Sequence, residues 1–410
     1  MFIQRSFYFN FTVVAALLGA FCCGSAQAQG GGDEIGAKVI KAAAKKDVVS
    51  LSGLNASGQH GQLFVNTLRR NLELSGYFKI AEANAGGTII VNGSAADTGG
   101  GVQSNCRVTW GGGQTFVWQR ASLGQQEVRR QAQELADKMV KEIKNETGIA
   151  MSRITFVNRK GSNNAELYVC DADGGGMMQI TQDKVGIVGP RWSPNKKDIL
   201  YTSFIKGYPT VLLHTVGGGR STVANFKGLN TGGAVSPDGK RVALILSFEG
   251  NAELYVMDYT MSRIMRMTNT PHGAEASPCW SPDGRSIVYV SDVSKTPQLY
   301  IVDVASRQSK RITYTGSENV NPSWGADGRI AYATRRGGGY QIAVMPSTGD
   351  ASSKIITNAP ANCEHPSWAP NSRHIICASG STLYILDTLG DPPVRLINAQ
   401  GNWMSPDWSR

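Results

Sequence analysis

From Arg153 to the C-terminus, short apolar-alternating runs are separated by Gly, Asn, Asp and Pro, the pattern of many short strands joined by tight turns. The runs repeat at a fixed period. Aligned on "WSPDGR" at Trp280, the copies stand at Trp192, Val235, Trp280, Trp324, Trp368 and Trp408, spaced 43, 45, 44, 44 and 40 residues apart. In five of the six a proline precedes by two residues, and Gly233 takes its place in the other. A second apolar run follows each turn ("DILYTSF", "RVALILSF", "SIVYVSD", "RIAYATR", "HIICASG"), then a third ("ELYVCDADG", "ELYVMDYT", "QLYIVDVAS"), then a short fourth ("QIT", "RMT", "RIT"). Four short strands per unit of this length predict the blades of a β-propeller.

The register predicts how the ring closes. The repeat region opens at "RITFVN", which matches the second strand of a blade, and ends at "SPDWSR", which matches only a first strand. The last strand therefore completes the blade begun at Arg153, which leaves no edge unpaired. The 258 residues from 153 to 410 then make six blades of 43.

The preceding segment, roughly 33–148, mixes periods. Leu63, Phe64, Leu68 and Leu72 recur at helical spacing, "TIIVNG" and "TFVWQ" read as strands, and glycine runs at 99–101 and 111–113 read as turns. Val128, Ala132, Leu135, Met139 and Ile143 form one face of a second helix. The fold class expected is mainly β: a small α+β domain over 29–150 with a flexible tail, then a six-bladed propeller over 151–410 closed by its C-terminal strand. Residues 1–28 read as a signal peptide, with Arg5, the apolar run "VVAALLGAF" and cleavage after Ala28, which places the mature protein in the periplasm. That apolar run is shorter than a membrane span.

Composition narrows the function. Forty-one basic and 31 acidic residues give a net charge of +10, scattered without a basic helix or aromatic stripe, which argues against nucleic-acid binding. Beyond the leader the cysteines are Cys106, Cys170, Cys279, Cys363 and Cys377, an odd number at spacings that match no metal site. Cys363 and Cys377 could lie on neighbouring strands, within reach of a disulfide. No G-x-S-x-G, H-E-x-x-H or phosphate-loop motif occurs, and the five histidines have no ligand spacing. Neither an enzyme, a cofactor nor a metal is expected.

Within the repeat, Trp192, Trp280, Trp324, Trp368 and Trp408 read as wedges between blades. Asp238, Asp283 and Asp327 read as turn acceptors, and so do Asp171, Asp258, Asp303 and Asp387 after the third strand. Function is expected instead in the variable loops of one mouth: those entering the first strand and those joining the second to the third. The candidate contacts there are Lys206, Lys227, Asn230, Thr231, His272, Glu275, Glu318, Asn319, Asn321, Arg335, Arg336, Asn362, Glu364, His365, Asn402 and Trp403.

With P-x-W-S-P-D-G repeats, "LRRNLELSGYFKI" at 68–80 and "ADKMVKEIKNETG" at 136–148 running into "SRITFVN", the chain resembles the TolB family of periplasmic Tol-Pal proteins. The resemblance implies a non-enzymatic scaffold. Its mouth would receive Pal, the peptidoglycan-associated lipoprotein, and its N-terminal segment would engage TolA, in support of envelope integrity and cell division. Here that segment, "QGGGDEIGAKVIKAAAKK", lacks the alternating apolar stretch expected of a TolA-binding strand. The alternative is a periplasmic propeller enzyme, a polysaccharide lyase or hydrolase, with a site in the central funnel.

Overall fold

The computed structural model describes residues 45–81, 87–259, 263–357 and 362–410. The leader and tail read from the sequence, residues 1–44, lie outside them, as does part of the loop before Cys363.

The alternation in "DVVSLSGLNA" buries Val49, Leu51 and Leu54 and makes Asp47–Ala56 a strand, β1. Helix α1, Gly58–Leu74, follows, then strands β2 (Phe78–Ile80), β3 (Ile89–Asp97), β4 (Gly101–Trp110) and β5 (Gln114–Leu123), and helix α2, Gly124–Lys144. The sheet order is β2-β1-β3-β4-β5, with β1 parallel to both its neighbours and the rest antiparallel. Phe64, Leu68 and Leu72 of α1 and Val128, Leu135 and Met139 of α2 share one core with the sheet. Gly61 permits the contact: a Cβ there would stand 2.3 Å from the Ala95 carbonyl oxygen of β3. Helix α2 ends on Asn145 in the left-handed conformation. The link beyond is held by Asp137, whose carboxylate accepts from the N–H groups of Ala150 (2.8 Å) and Met151 (3.0 Å).

Six four-stranded sheets follow. Blade one pairs the C-terminal strand Trp403–Trp408 with Arg153–Gly161, Trp408 opposite Ile154. The closure read from the register is the one observed. The inner strands of blades two to six are Ile187–Trp192, Asn230–Val235, Glu275–Trp280, Asn319–Trp324 and Cys363–Trp368, each packed against the next around the ring.

Every inner strand is bulged at its third residue. Gly189, Gly232, Ser277, Asn321, His365 and Ser405 all have φ between 49° and 72°, and the pairing register shifts there in all six blades. The recurring proline comes immediately after this residue, where the broken ladder needs no N–H.

The tryptophans of the repeat are buried, and the side chain before each one adds a collar. Trp324 N donates to Cys279 Sγ (3.3 Å), Trp368 N to Ser323 Oγ (3.2 Å), Trp408 N to Ser367 Oγ (3.0 Å) and Trp192 N to Asp407 Oδ2 (2.8 Å), each across a blade junction. Arg153, Arg241 and Arg329 lie 4.8–4.9 Å above the rings of Trp192, Trp280 and Trp368 of the following blade. Their guanidinium groups also donate to that blade's turn carbonyls, at Lys196, Gly284 and Ser372. The turn aspartates act locally: Asp238 and Asp283 accept from Ser236 and Ser281 (2.5 and 2.6 Å), and Asp327 from Arg329 N (3.1 Å).

The α+β domain sits on the underside, the face of these turns. Arg129 of α2 pairs with Asp171 (2.9 Å) and Asp173 (2.5 Å) of blade one. Arg373 of blade six pairs with Asp387 (2.7 Å), donates to the Gly76 carbonyl (2.9 Å) and lies 4.6 Å from the Tyr77 ring. This corrects the reading of Asp171, whose carboxylate serves the domain junction. Asp303 does cap its turn, through Ser306 N (2.7 Å).

Candidate functional site

With the underside of blades one and six covered, the opposite mouth is where loops from all six blades converge. Its rim is assembled from polar side chains that first tie down their own loops. Asn230 Oδ1 accepts from Phe226 N (2.8 Å) and its Nδ2 donates to Phe226 O (2.8 Å), which closes the turn around Gly228. Asn319 repeats the carbonyl half of the device two blades on, with Nδ2 donating to Thr315 O (2.8 Å).

The sixteen candidate contacts therefore separate by depth. Lys206, Lys227, His272, Arg335, Arg336 and Asn362 are exposed, and Glu318, Glu364, His365 and Asn402 are half-buried. Asn230, Thr231, Glu275, Asn319, Asn321 and Trp403 are buried, all at 5% exposure or less. The expectation of direct contact is corrected for these six. They lie at the inner end of the loops, where a polar residue is needed to hold backbone groups that water cannot reach. Trp403 packs edge-on against Phe156 and Tyr168 at 5.4 and 5.6 Å.

Between blades five and six the rim carries a charge cluster. Arg335 Nη1 pairs with Glu318 Oε1 at 3.0 Å, Tyr340 donates its hydroxyl to Glu318, and the Arg335 guanidinium lies 5.7 Å from the Tyr340 ring. Burial raises the Glu364 carboxyl above its ordinary value, against the pull of Arg335. Burial also drives His365 down to about 4, with help from Arg191, so this imidazole is neutral at physiological pH. Arg191 itself is held by Asp407 at 3.0 Å.

Sequence reasoning missed the apolar part of the rim. Ile205 and Tyr208, in the loop between the second and third strands of blade two, are 38% and 46% exposed, and Val293 in the matching loop of blade four is 46% exposed. The signal was present in "FIKGYP", where two large apolar side chains flank a turn glycine. Lys160, Lys184, Lys206 and Lys227 stand on loops of blades one to three, exposed and outside the ion pairs of the described residues.

Cys363 and Cys377 are buried cysteines in contact across neighbouring strands. Among the described residues no group of three or more His, Cys, Asp or Glu could hold a metal ion, and no helix is long and apolar enough to cross a membrane.

A family model for the TolB β-propeller domain matches residues 140–410. The chain belongs to this family. The Tol-Pal system protein TolB of Bordetella pertussis is 39% identical over 108 residues, which is 26% of this chain and 24% of the relative, and that of Bordetella parapertussis matches equally. The aligned chain thus spans about a quarter of the length of these curated relatives. The crystal structure of TolB from Acinetobacter baumannii superposes with a TM-score of 0.77 at 25% identity, over 91% of this chain and 98% of that one. A nidogen/laminin complex, at 9% identity and a TM-score of 0.52, shares the propeller fold alone. The chain is a TolB-like protein of the Tol-Pal type.

Proposed function

We propose that this protein is the non-enzymatic periplasmic scaffold of a Tol-Pal envelope system, with the propeller mouth as its docking surface for a Pal-like peptidoglycan-associated lipoprotein. The single observation that carries this is the composition of the rim. Ile205 and Tyr208 stand exposed on the face left open by the α+β domain, where loops of blades one to three also carry the exposed Lys160, Lys184, Lys206 and Lys227. Exposed aromatic and aliphatic anchors ringed by charge are what a protein interface needs. The lysines favour an acidic partner surface and a fast, salt-sensitive encounter. Family membership supports the same assignment, together with a role in envelope integrity and cell division and contact of the N-terminal segment with TolA.

Titration calorimetry of the exported protein against its own organism's peptidoglycan-associated lipoprotein tests the reading. Tyr208→Ala should weaken binding by about tenfold or more. Lys206→Glu with Lys227→Glu should weaken it further and reduce its salt dependence. Undiminished binding by both variants would remove the mouth from the interface.

A further inference from the structure

Beneath the mouth, where blades three and four meet, two carboxyl groups share one buried site. Glu253 opens the third strand of blade three and Glu275 the inner strand of blade four, and both are 0% exposed. Glu253 is well supplied with donors: Arg266 Nη2 at 2.9 Å, Thr268 Oγ1 at 2.6 Å and Thr270 N at 2.7 Å. Glu275 accepts from Ser291 Oγ at 3.0 Å and Thr270 Oγ1 at 3.0 Å, and the same Thr270 hydroxyl stands 3.5 Å from Glu253 Oε1, so the two carboxyl groups meet around one hydroxyl.

The next junction shows what this geometry requires. Between blades four and five the same two positions hold Gln298 and Asn319. Thr313 Oγ1 donates to Gln298 Oε1 at 2.8 Å, as Thr268 does to Glu253. Asn319 Nδ2 donates to that same oxygen at 2.8 Å. The position occupied by Asn319 is thus a donor position. A carboxyl group placed there can donate only when it carries its proton.

We propose that Glu275 is a neutral carboxylic acid in the folded protein, and that its hydrogen bond to Glu253 is a proton-operated latch on the mouth loop 267–275. Thr270 of that loop touches both carboxyl groups, while Asn251 Nδ2 holds its Gly273 carbonyl (2.6 Å) and Asp292 its Ala274 N–H (2.7 Å). His272 is exposed on the same loop. Losing the proton would set two negative charges against each other where water does not reach. The repulsion would act between the inner strand of blade four, which the loop enters, and the third strand of blade three.

The groups around the pair do not relieve it. Arg266 is the cation that faces it, and it is already shared between Glu253 and Glu249 (3.2 Å). Tyr255 donates to Glu249, and Asp292 and Tyr289 of blade four add no positive charge. Burial first, and Glu253 second, raise Glu275 to about 9. A carboxyl held above its ordinary value favours the folded state fully below that ordinary value and loses the contribution as pH rises through the folded one.

Thermal unfolding and infrared spectra of the full chain test the latch without any partner. Measured against Glu275→Gln, a permanent neutral donor in which every other titration is kept, the wild-type Tm should fall progressively from about pH 5 to about pH 9. The gap should reach roughly 4 °C or more at the upper end. At neutral pH the wild type should show the C=O stretch of a neutral carboxylic acid that Glu275→Gln lacks. Parallel Tm curves or identical carbonyl spectra would overturn the proposal. Should Glu275→Gln fold poorly, Glu253→Gln with Glu275→Asn rebuilds the pair of the next junction and must show the same divergence from the wild type. Control of docking by the latch rests on the mouth reading, and a binding assay separates the two. Affinity for the lipoprotein should drop several-fold at about pH 9 in the wild type only. An equal drop in both proteins would sever the latch from docking, and absence of binding at every pH would sink the mouth reading while the Tm and infrared results still decide the latch.

Discussion

Two polar junctions, one on each face of the propeller, bury charge in opposite ways. On the underside, Arg373 and Asp387 are 7% and 4% exposed, and the pair is made of unlike charges, with Arg373 also donating to the Gly76 carbonyl. At the mouth, Glu253 and Glu275 are like charges, and a proton must separate them. Burial alone would raise Asp387, but the Arg373 hydrogen bond, His374 and the Leu389 N–H outweigh it and hold the carboxyl below its ordinary value. Burial pushes His374 down to about 4 against the pull of Asp387, so the ring is neutral. Both groups are depressed, so their contribution is complete above the ordinary histidine value of 6.5 and is lost as pH falls. The domain junction is therefore acid-labile and the mouth junction alkali-labile. Unlike charges can be buried permanently, which suits a fixed joint, whereas like charges can be buried only conditionally.

The largest effect should come from breaking the fixed joint. Arg373→Ala leaves Asp387 buried without its cation, and denaturant unfolding should show a loss of about 3–5 kcal/mol at neutral pH. The Asp387 contribution in acid should vanish with it. The comparison is next sharpened by making the blade-four to blade-five junction conditional. Asn319→Asp replaces a neutral donor, 0% exposed, with a titrating group facing Gln298. Stability should fall by about 2–3 kcal/mol at pH 8 and recover in part as pH is lowered. His374→Gln should act in the opposite window. Between pH 7 and pH 5 the wild type should lose about 2 kcal/mol that the variant keeps, because protonating this ring requires charge in a buried site.

Much of this fold was legible because the repeat is a physical necessity met six times. The tryptophan, the turn aspartate and the closing strand recur at one period, so the spacing alone gave six blades and their closure. The bulge was visible only as its proline, since a positive φ at Ser277 or His365 leaves no mark in residue type. The arginine staples were hidden for another reason. Arg241 and Arg329 open the second strands of their blades, the position that His374 holds in blade six, and both reach the next blade, whereas Arg373 stands one residue earlier and reaches the α+β domain. Where that domain sits is a tertiary fact that no blade encodes. The mouth was legible as a set of loops but not by depth. Asn230 and Asn319 look like exposed loop residues in "GLN" and "SEN", while their side chains are spent on the backbone beneath.

The rim pair of Arg335 and Glu318 completes the contrast, because it belongs to neither kind of junction. Arg335 is 45% exposed and Glu318 28%, so water screens the attraction that the buried pairs feel in full. Arg335→Ala should cost at most about 0.5 kcal/mol in denaturant unfolding. The same change frees the Glu318 carboxylate, which keeps the Tyr340 hydroxyl as its donor among the described residues, and leaves Glu364 without the cation that opposes its rise. This sector of the mouth would then present two carboxyl groups to an incoming surface where it now presents a compensated pair. If the mouth docks an acidic partner, as the mouth lysines imply, affinity should fall severalfold with little change in Tm. A variant that loses stability without losing affinity would place Arg335 with the structural pairs of the underside.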